Sequence, residues 1–257
     1  MPVHARKSGE FCWLNLLTPR ADEARAFFTD VLGWTYRPIP GIGHVVQADG
    51  HPIGAIFDLT LPGTPAGTPP HIGVMVKVAD AESTCARAAG LGGTSGKTSE
   101  IMGNLRMGQC ADPSGAAFDL FEPLAQQGTD ADPMALGAPS WFECMSRDAA
   151  RTVPFYEALF GWTSERMPLP NPGDEYVTFK LGGEAVAGLM PVTPRMPDVP
   201  SHWGVYFTVR SADDAAAGAV SRGGTITIPP RDIPGVGRFA GLLSPQGVRF
   251  HVIQYAR

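Results

Sequence analysis

The chain repeats itself, and the repeat constrains its architecture more than any local pattern does. Phe27-Phe-Thr-Asp-Val-Leu-Gly-Trp34 returns as Phe155-Tyr-Glu-Ala-Leu-Phe-Gly-Trp162, and Trp13 returns as Trp141. Further on, His71-Ile-Gly-Val74 returns as His202-Trp-Gly-Val205 and Asp112-Pro-Ser-Gly115 as Ser244-Pro-Gln-Gly247. The copies lie about 130 residues apart, and the spacing grows slightly along the chain, as small loop insertions in the second copy would cause. The expected division is a first domain over residues 9–124, a linker over 125–138 and a second domain over 139–257.

Each copy divides again at a proline-rich run, Leu61–Pro70 in the first and Pro191–Pro200 in the second, which suits an extended spacer. Before the first spacer, Phe11–Leu17 reads as a strand. Ala24, Phe27, Phe28, Val31 and Leu32 then form one apolar helical stripe that Gly33 ends. Short runs around His44–Gln47 and Ile53–Phe57 read as hairpin strands. After the spacer the order returns: a strand His71–Val78, an alanine-rich helix Ala81–Ala89, and strands about Met107–Cys110 and Ala117–Phe121 joined by a proline turn. The pattern predicts an α+β chain of four βαβββ units. Pro154 is expected in the first turn of its helix, where its missing amide costs least.

Composition narrows the partners. With 20 Lys+Arg against 25 Asp+Glu and no basic run, nothing suits nucleic acid or an anionic membrane. No run is apolar enough to span a bilayer, and Met1–Glu10 has no signal-peptide core, so a cytoplasmic protein is expected. Cys12, Cys85, Cys110 and Cys144 have no framework spacing and read as reduced, mostly buried thiols.

The chain resembles the glyoxalase/bleomycin resistance/extradiol dioxygenase (vicinal oxygen chelate) superfamily, in particular tandem-domain actinobacterial members of hydroxylase or glyoxalase-like type. Trp13, Phe27-Phe28, Gly33-Trp34, Trp141, Glu143, Phe155-Tyr156, Phe160-Gly-Trp162, Trp203–Phe207, Gly223-Gly224 and the two proline turns carry the likeness, from about Phe11 to Tyr255. The resemblance implies two domains of paired βαβββ units curved around cavities, one chain serving as an intramolecular pseudo-dimer and hence a monomer. It also implies metal ligands on the first and fourth strands of each unit. Here those positions hold Trp13, Trp141, Gly73 and Gly204, and only Asp119 and His251 on the final strands keep a ligand type. One candidate per cavity is too few for a stable divalent site, so no metal and no cofactor are expected. His71 and His202, two residues before the glycines, either sit at the cavity mouths or move into ligand positions by a register shift.

Period-2 alternation places Trp13, Asn15, His71, Gly73, Met75 and Asp119 on one face in the first copy. In the second it groups Trp141, Glu143, His202, Gly204, Tyr206, Arg249 and His251. Phe118, Leu120, Phe250 and Val252 fall on the opposite faces, against the helices. The tryptophans either plug the sheets or line cavities. Glu143, Arg249 and His251 form an ionisable trio that is costly to bury unless paired or met by a ligand. The candidate catalytic set is therefore His251 as acid/base with Glu143 and Arg249. Trp13, Trp141, Tyr206, His202, His71, Asp119 and Asn15 are candidate ligand contacts. Two functions fit: a metal-independent enzyme acting by acid/base chemistry on a small aromatic or polyketide-like metabolite, or a non-catalytic protein that sequesters a drug or metabolite. Whether the cavities form within or between copies is open at this stage.

Overall fold

In the computed structural model, residues 5–62, 64–169 and 174–256 are described. Met1–His4 of the opening run expected to lack a signal-peptide core, Gly63 of the first spacer, and residues 170–173 and 257 of the second copy lie outside them. The first copy runs β1 (Phe11–Thr18), α1 (Ala21–Leu32), β2 (Thr35–Ile39), β3 (Gly43–Ala48), β4 (His51–Asp58) and β5 (His71–Lys77). It continues through α2 (Ala81–Gly90), β6 (Thr94–Ser95), β7 (Ser99–Ile101), β8 (Leu105–Ala111) and β9 (Ala117–Pro123). The second runs β10 (Pro139–Ser146), α3 (Ala149–Phe160), β11 (Thr163–Pro168), β12 (Glu175–Leu181), β13 (Glu184–Pro191) and β14 (His202–Thr208). It ends in α4 (Ala212–Ser221), β15 (Thr225–Ile233), β16 (Gly237–Leu243) and β17 (Arg249–Tyr255).

Each copy closes its own sheet. The strand orders are β2-β3-β4-β1-β5-β9-β8-β6 and β11-β12-β13-β10-β14-β17-β16-β15, with β7 beside β8. Two βαβββ units join in each copy through the antiparallel pairs β1–β5 and β10–β14. Each concave sheet face is therefore built within one copy, and the two α+β domains are curled sheets with four helices on their outer faces. No helix among the described residues is long and apolar enough to cross a membrane. All four cysteines are free and buried.

The helices end and begin where backbone chemistry allows. Gly33 and Gly161 close α1 and α3 in the left-handed conformation. The Asp80, Asp148 and Ser211 side chains cap α2, α3 and α4. Pro154 differs from expectation: it is the sixth residue of α3, not in its first turn. The Asp148 cap and the buried Thr152 and Val153 carry the helix one turn further upstream, at the loss of one intrahelical amide bond.

One continuous core fuses the copies, because the first helix of each rests on the last strand of the other. Phe250 of β17 packs edge-on against Phe27 and Phe28 of α1, and Phe118 of β9 against Phe155 and Tyr156 of α3. Phe11 and Phe142 stack with ring centroids 4.0 Å apart where the sheets meet. Polar atoms are matched across the same boundary: Trp34 Nε1 donates to the Gly137 carbonyl at 2.8 Å, and Trp162 Nε1 to the Gly9 carbonyl at 2.9 Å. The Tyr156 hydroxyl donates to Asp112 Oδ2 at 3.1 Å and accepts from Trp203 Nε1 at 2.8 Å. A Tyr156→Phe protein would strand the buried Trp203 Nε1 and take one donor from Asp112 Oδ2, leaving it only the Cys144 thiol. We expect it to lose about 2–3 kcal/mol, read in urea as a lower midpoint with an unchanged slope; an unchanged midpoint would show that this tether contributes nothing.

Candidate functional site

The concave faces of the two sheets are unlike. In the first copy Trp13 is buried with Cys12, Val45, Ala55, Met75, Leu105 and Phe121, and Ile39, Phe57, Ile101 and Met107 pack on that cluster. Trp13 thus plugs its sheet. The Asn15 amide contacts the Met75 sulfur at 3.4 Å. Asp119 is half-buried opposite Gly73, and removal from water pushes its carboxyl up to about 7 against a hydrogen bond from Asn15.

In the second copy the same face is a polar trough. Glu143, level with Gly188 on one side and Gly204 on the other, accepts hydrogen bonds from the Tyr176 hydroxyl at 3.2 Å and the Tyr206 hydroxyl at 3.0 Å. Trp141 Nε1 donates to the Tyr176 oxygen at 3.0 Å, so tryptophan, tyrosine and carboxyl form one chain. Gly188 makes this possible, since any Cβ there would collide with the Tyr176 hydroxyl. Burial raises the Glu143 carboxyl above its ordinary value, while Tyr206, Tyr176 and the charge of Arg231 pull it back.

His251 lies level with Tyr206 on the adjacent parallel strand, their rings stacked at 4.4 Å. Its Nδ1 is enclosed and makes no well-formed hydrogen bond. Burial pushes the imidazole down to about 4, helped by the electrostatic influence of His202 and Arg249 and opposed by a backbone interaction at Val205. Gly204 leaves its own Cβ position open 3.4 Å from Nδ1. His71 and His202 open β5 and β14, each fixed by Nδ1 on the carbonyl two residues back, Pro69 and Pro200, at 2.8 Å.

Two expectations are corrected here. Arg249 is exposed, so the anticipated buried trio is a pair, Glu143 and His251; Arg249 acts on His251 only through its field. The ordinary titration order of a histidine and an aspartate, which underlies the expectation of His251 as the acid/base, is also reversed: desolvation shifts the imidazole and the carboxyl in opposite senses, so Asp119 and not His251 titrates near neutrality. Three residues of the trough escaped the sequence reading. Tyr176 reaches in from β12, Phe239 packs on Tyr206 at 5.8 Å, and the Arg231 guanidinium lies 4.9 Å above the Phe239 ring. A hollow of about 110 Å³ between β1 and β10 also borders Trp13 and Trp141, but it holds neither His251 nor Tyr206.

The donors do not suit a metal. Among the described residues no three His, Cys, Asp or Glu side chains converge, and both Glu143 oxygens are engaged by tyrosines.

Comparison with known proteins agrees with this architecture. Residues 139–252 match the family profile described as Glyoxalase/Bleomycin resistance protein/Dioxygenase superfamily, and residues 13–121 match Glyoxalase-like domain. The chain is 35% identical over 250 residues, 95% of its length and 94% of the relative's, to a Mycobacterium tuberculosis protein named "Putative glyoxylase CFP32". It is 35% identical over 133 residues, 46% of its own length and 47% of the relative's, to "Anthracycline biosynthesis protein DnrV" of Streptomyces peucetius. Among solved structures, the Mn(II)-bound glyoxalase from Novosphingobium aromaticivorans superposes with TM-score 0.66 at 15% identity, over 96% of this chain and 82% of that one. The 2,3-dioxygenase LapB from Pseudomonas sp. KL28 superposes with TM-score 0.67 at 14% identity, over 98% and 94%; at such identities these likenesses speak for the fold alone. With both copies matched in sequence and a relative aligned along nearly its whole length, the chain belongs to the glyoxalase/bleomycin resistance/dioxygenase superfamily as a tandem, two-domain member.

Proposed function

We propose that the second-copy trough binds a small, planar, hydroxylated aromatic or polyketide-like metabolite and acts on it by metal-independent acid/base chemistry. The observation that carries this reading is the enclosed, unpartnered Nδ1 of His251 beside the hydrogen-bonded Glu143 carboxyl. A buried ring nitrogen without a partner is costly, and a ligand hydroxyl would satisfy it. Trp141, Tyr206 and Phe239 offer flat apolar surface for a ring system. The likeness of part of the chain to proteins named for anthracycline biosynthesis is consistent with such a ligand.

The two ionisable groups suit paired roles. His251 is neutral at working pH and can accept a proton, its weak basicity offset when the ligand anion stays beside the imidazolium. Glu143, raised by burial, holds a proton more readily than a free carboxyl and is the partner acid, with Tyr176 and Tyr206 fixing its orientation. Asp119, Asn15, Trp13 and His71 belong to the first copy, whose face is apolar where the second carries the hydrogen-bonded Glu143 and its tyrosines. The second reading, sequestration without turnover, is favoured by the same aromatics, since stacking alone retains a ligand.

The chain is expected to act in the cytoplasm as a monomer, the second copy supplying what a dimer partner would. Native mass spectrometry of protein purified from cells, followed by product analysis of the released ligand, tests these points together. We expect one chain, no stoichiometric metal and a co-purified aromatic whose isomer composition or mass changes on incubation. A recovered ligand that is bound tightly and unaltered would move sequestration ahead, and one metal ion per chain would end the metal-independent reading.

A further inference from the structure

The trough has a cationic flank that the buried pair does not use. Arg231 and Arg249 are both exposed, and among the described residues neither has a carboxylate within ion-pair distance; nearby Arg238, by contrast, is held by Asp213 and Asp232. Arg231 is the better placed. It lies over Phe239, a wall of the trough, and its charge acts on both Glu143 and Tyr206. Strand register equates it with Ser99 of the first copy, since Arg231 pairs with Phe239 as Ser99 pairs with Met107. By the same equivalence Arg249 corresponds to Ala117. The plugged copy has neither cation.

Resting on the site reading above, we propose that Arg231 is an anion anchor and that the ligand is an aromatic hydroxy acid, its carboxylate on the guanidinium and its hydroxyl on His251 Nδ1. Arg231 is level with Phe239 and Ile253, two strands across and two residues along from His251. Strand spacings put the two Cα atoms on the order of 12 Å apart. After the reach of an arginine side chain, several ångströms remain, so the two groups belong at opposite ends of the ring system and not on neighbouring carbons. A guanidinium stacked on an aromatic face keeps its edge free for two parallel bonds to a carboxylate.

Calorimetric titration of the full chain with 6-hydroxy-2-naphthoate and with its methyl ester tests this. The acid is expected to bind at least about 10-fold tighter than the ester at low salt. Its advantage should shrink in high salt and fall to within about 2-fold in Arg231→Gln, while the ester binds wild type and variant alike. Equal binding of acid and ester to wild type would overturn the anchor, as would an acid preference that survives in Arg231→Gln but disappears in Arg249→Gln. Binding of neither probe would count against the site itself and take the anchor with it. That outcome is distinct, because only then is the ester lost too.

Discussion

Replacing His251 by Ala lowers turnover of the natural ligand by about 10²–10⁴, the usual cost of removing a general acid/base, whereas Asp119→Ala leaves turnover within a few-fold. The distinguishing evidence is the pH profile. Because burial holds the wild-type imidazole at about 4, its neutral form is complete above about pH 5, so the acid limb of kcat/KM should fall only as pH drops through about 4, separate from the alkaline limb on which Glu143 loses its proton. A histidine with its ordinary value would produce the fall near 6.5 instead. An inflection near 6.5 that vanishes in His251→Ala would show that solvent reaches the ring and that its enclosure is not maintained. Wild-type turnover in the variant would remove His251 from the chemistry altogether.

Asp119→Asn should stabilise the free protein on the alkaline side. The folded carboxyl keeps its proton to about 7, whereas in the unfolded chain it ionises near 3.8. The unfolded state therefore releases the proton first as pH rises. Stability attributable to this group is complete below about pH 4 and is lost progressively up to about pH 7. At pH 8 the penalty is about 2–4 kcal/mol, discounted toward the lower end because the residue is only half-buried. Asn has the same shape and no charge to desolvate, so Tm should rise by about 6–10 °C at pH 8 and hardly at all at pH 4. Equal Tm values at pH 8 would mean that water or a nearby cation already compensates the carboxylate.

Much of the architecture is legible because the repeat and the alternation are strong. The stripe from Ala24 to Leu32 and the outward Phe118 and Phe250 mark the helix-facing sides without structural help. What they cannot reveal is that those phenylalanines also meet the other copy's first helix, because pairing between copies depends on where the linker returns the chain. The site is only partly legible for a related reason. Alternation along one strand groups Trp141 with Glu143 and Arg249 with His251, but Tyr176 comes from a hairpin two strands away, through the gap at Gly188. Register equates it with Gly43 in the first copy, where no hydroxyl is available.

Arg231 follows Pro229-Pro230 in a strand whose register shifts twice, which hides its alternation. The contrast between Trp13 and Trp141 shows the same limit. Identical residues at equivalent positions become a plug in one copy and a trough wall in the other, because Met75 and Met107 in the first are replaced by Tyr206 and Phe239 in the second. The reversed titration of His251 and Asp119 has its origin in desolvation, which depends on three-dimensional neighbours and not on residue type.

Histidine-selective ¹⁵N NMR of the full chain, titrated with 6-hydroxy-2-naphthoate, addresses the central claim most directly. The imidazole of His251 is identified among the six histidines by its loss in His251→Gln. The account predicts that the His251 Nδ1 resonance moves in step with binding as it gains the hydrogen bond it lacks in the free protein. Saturable binding that leaves the His251 resonances in place would contradict it, and would put the ligand somewhere other than the second-copy trough.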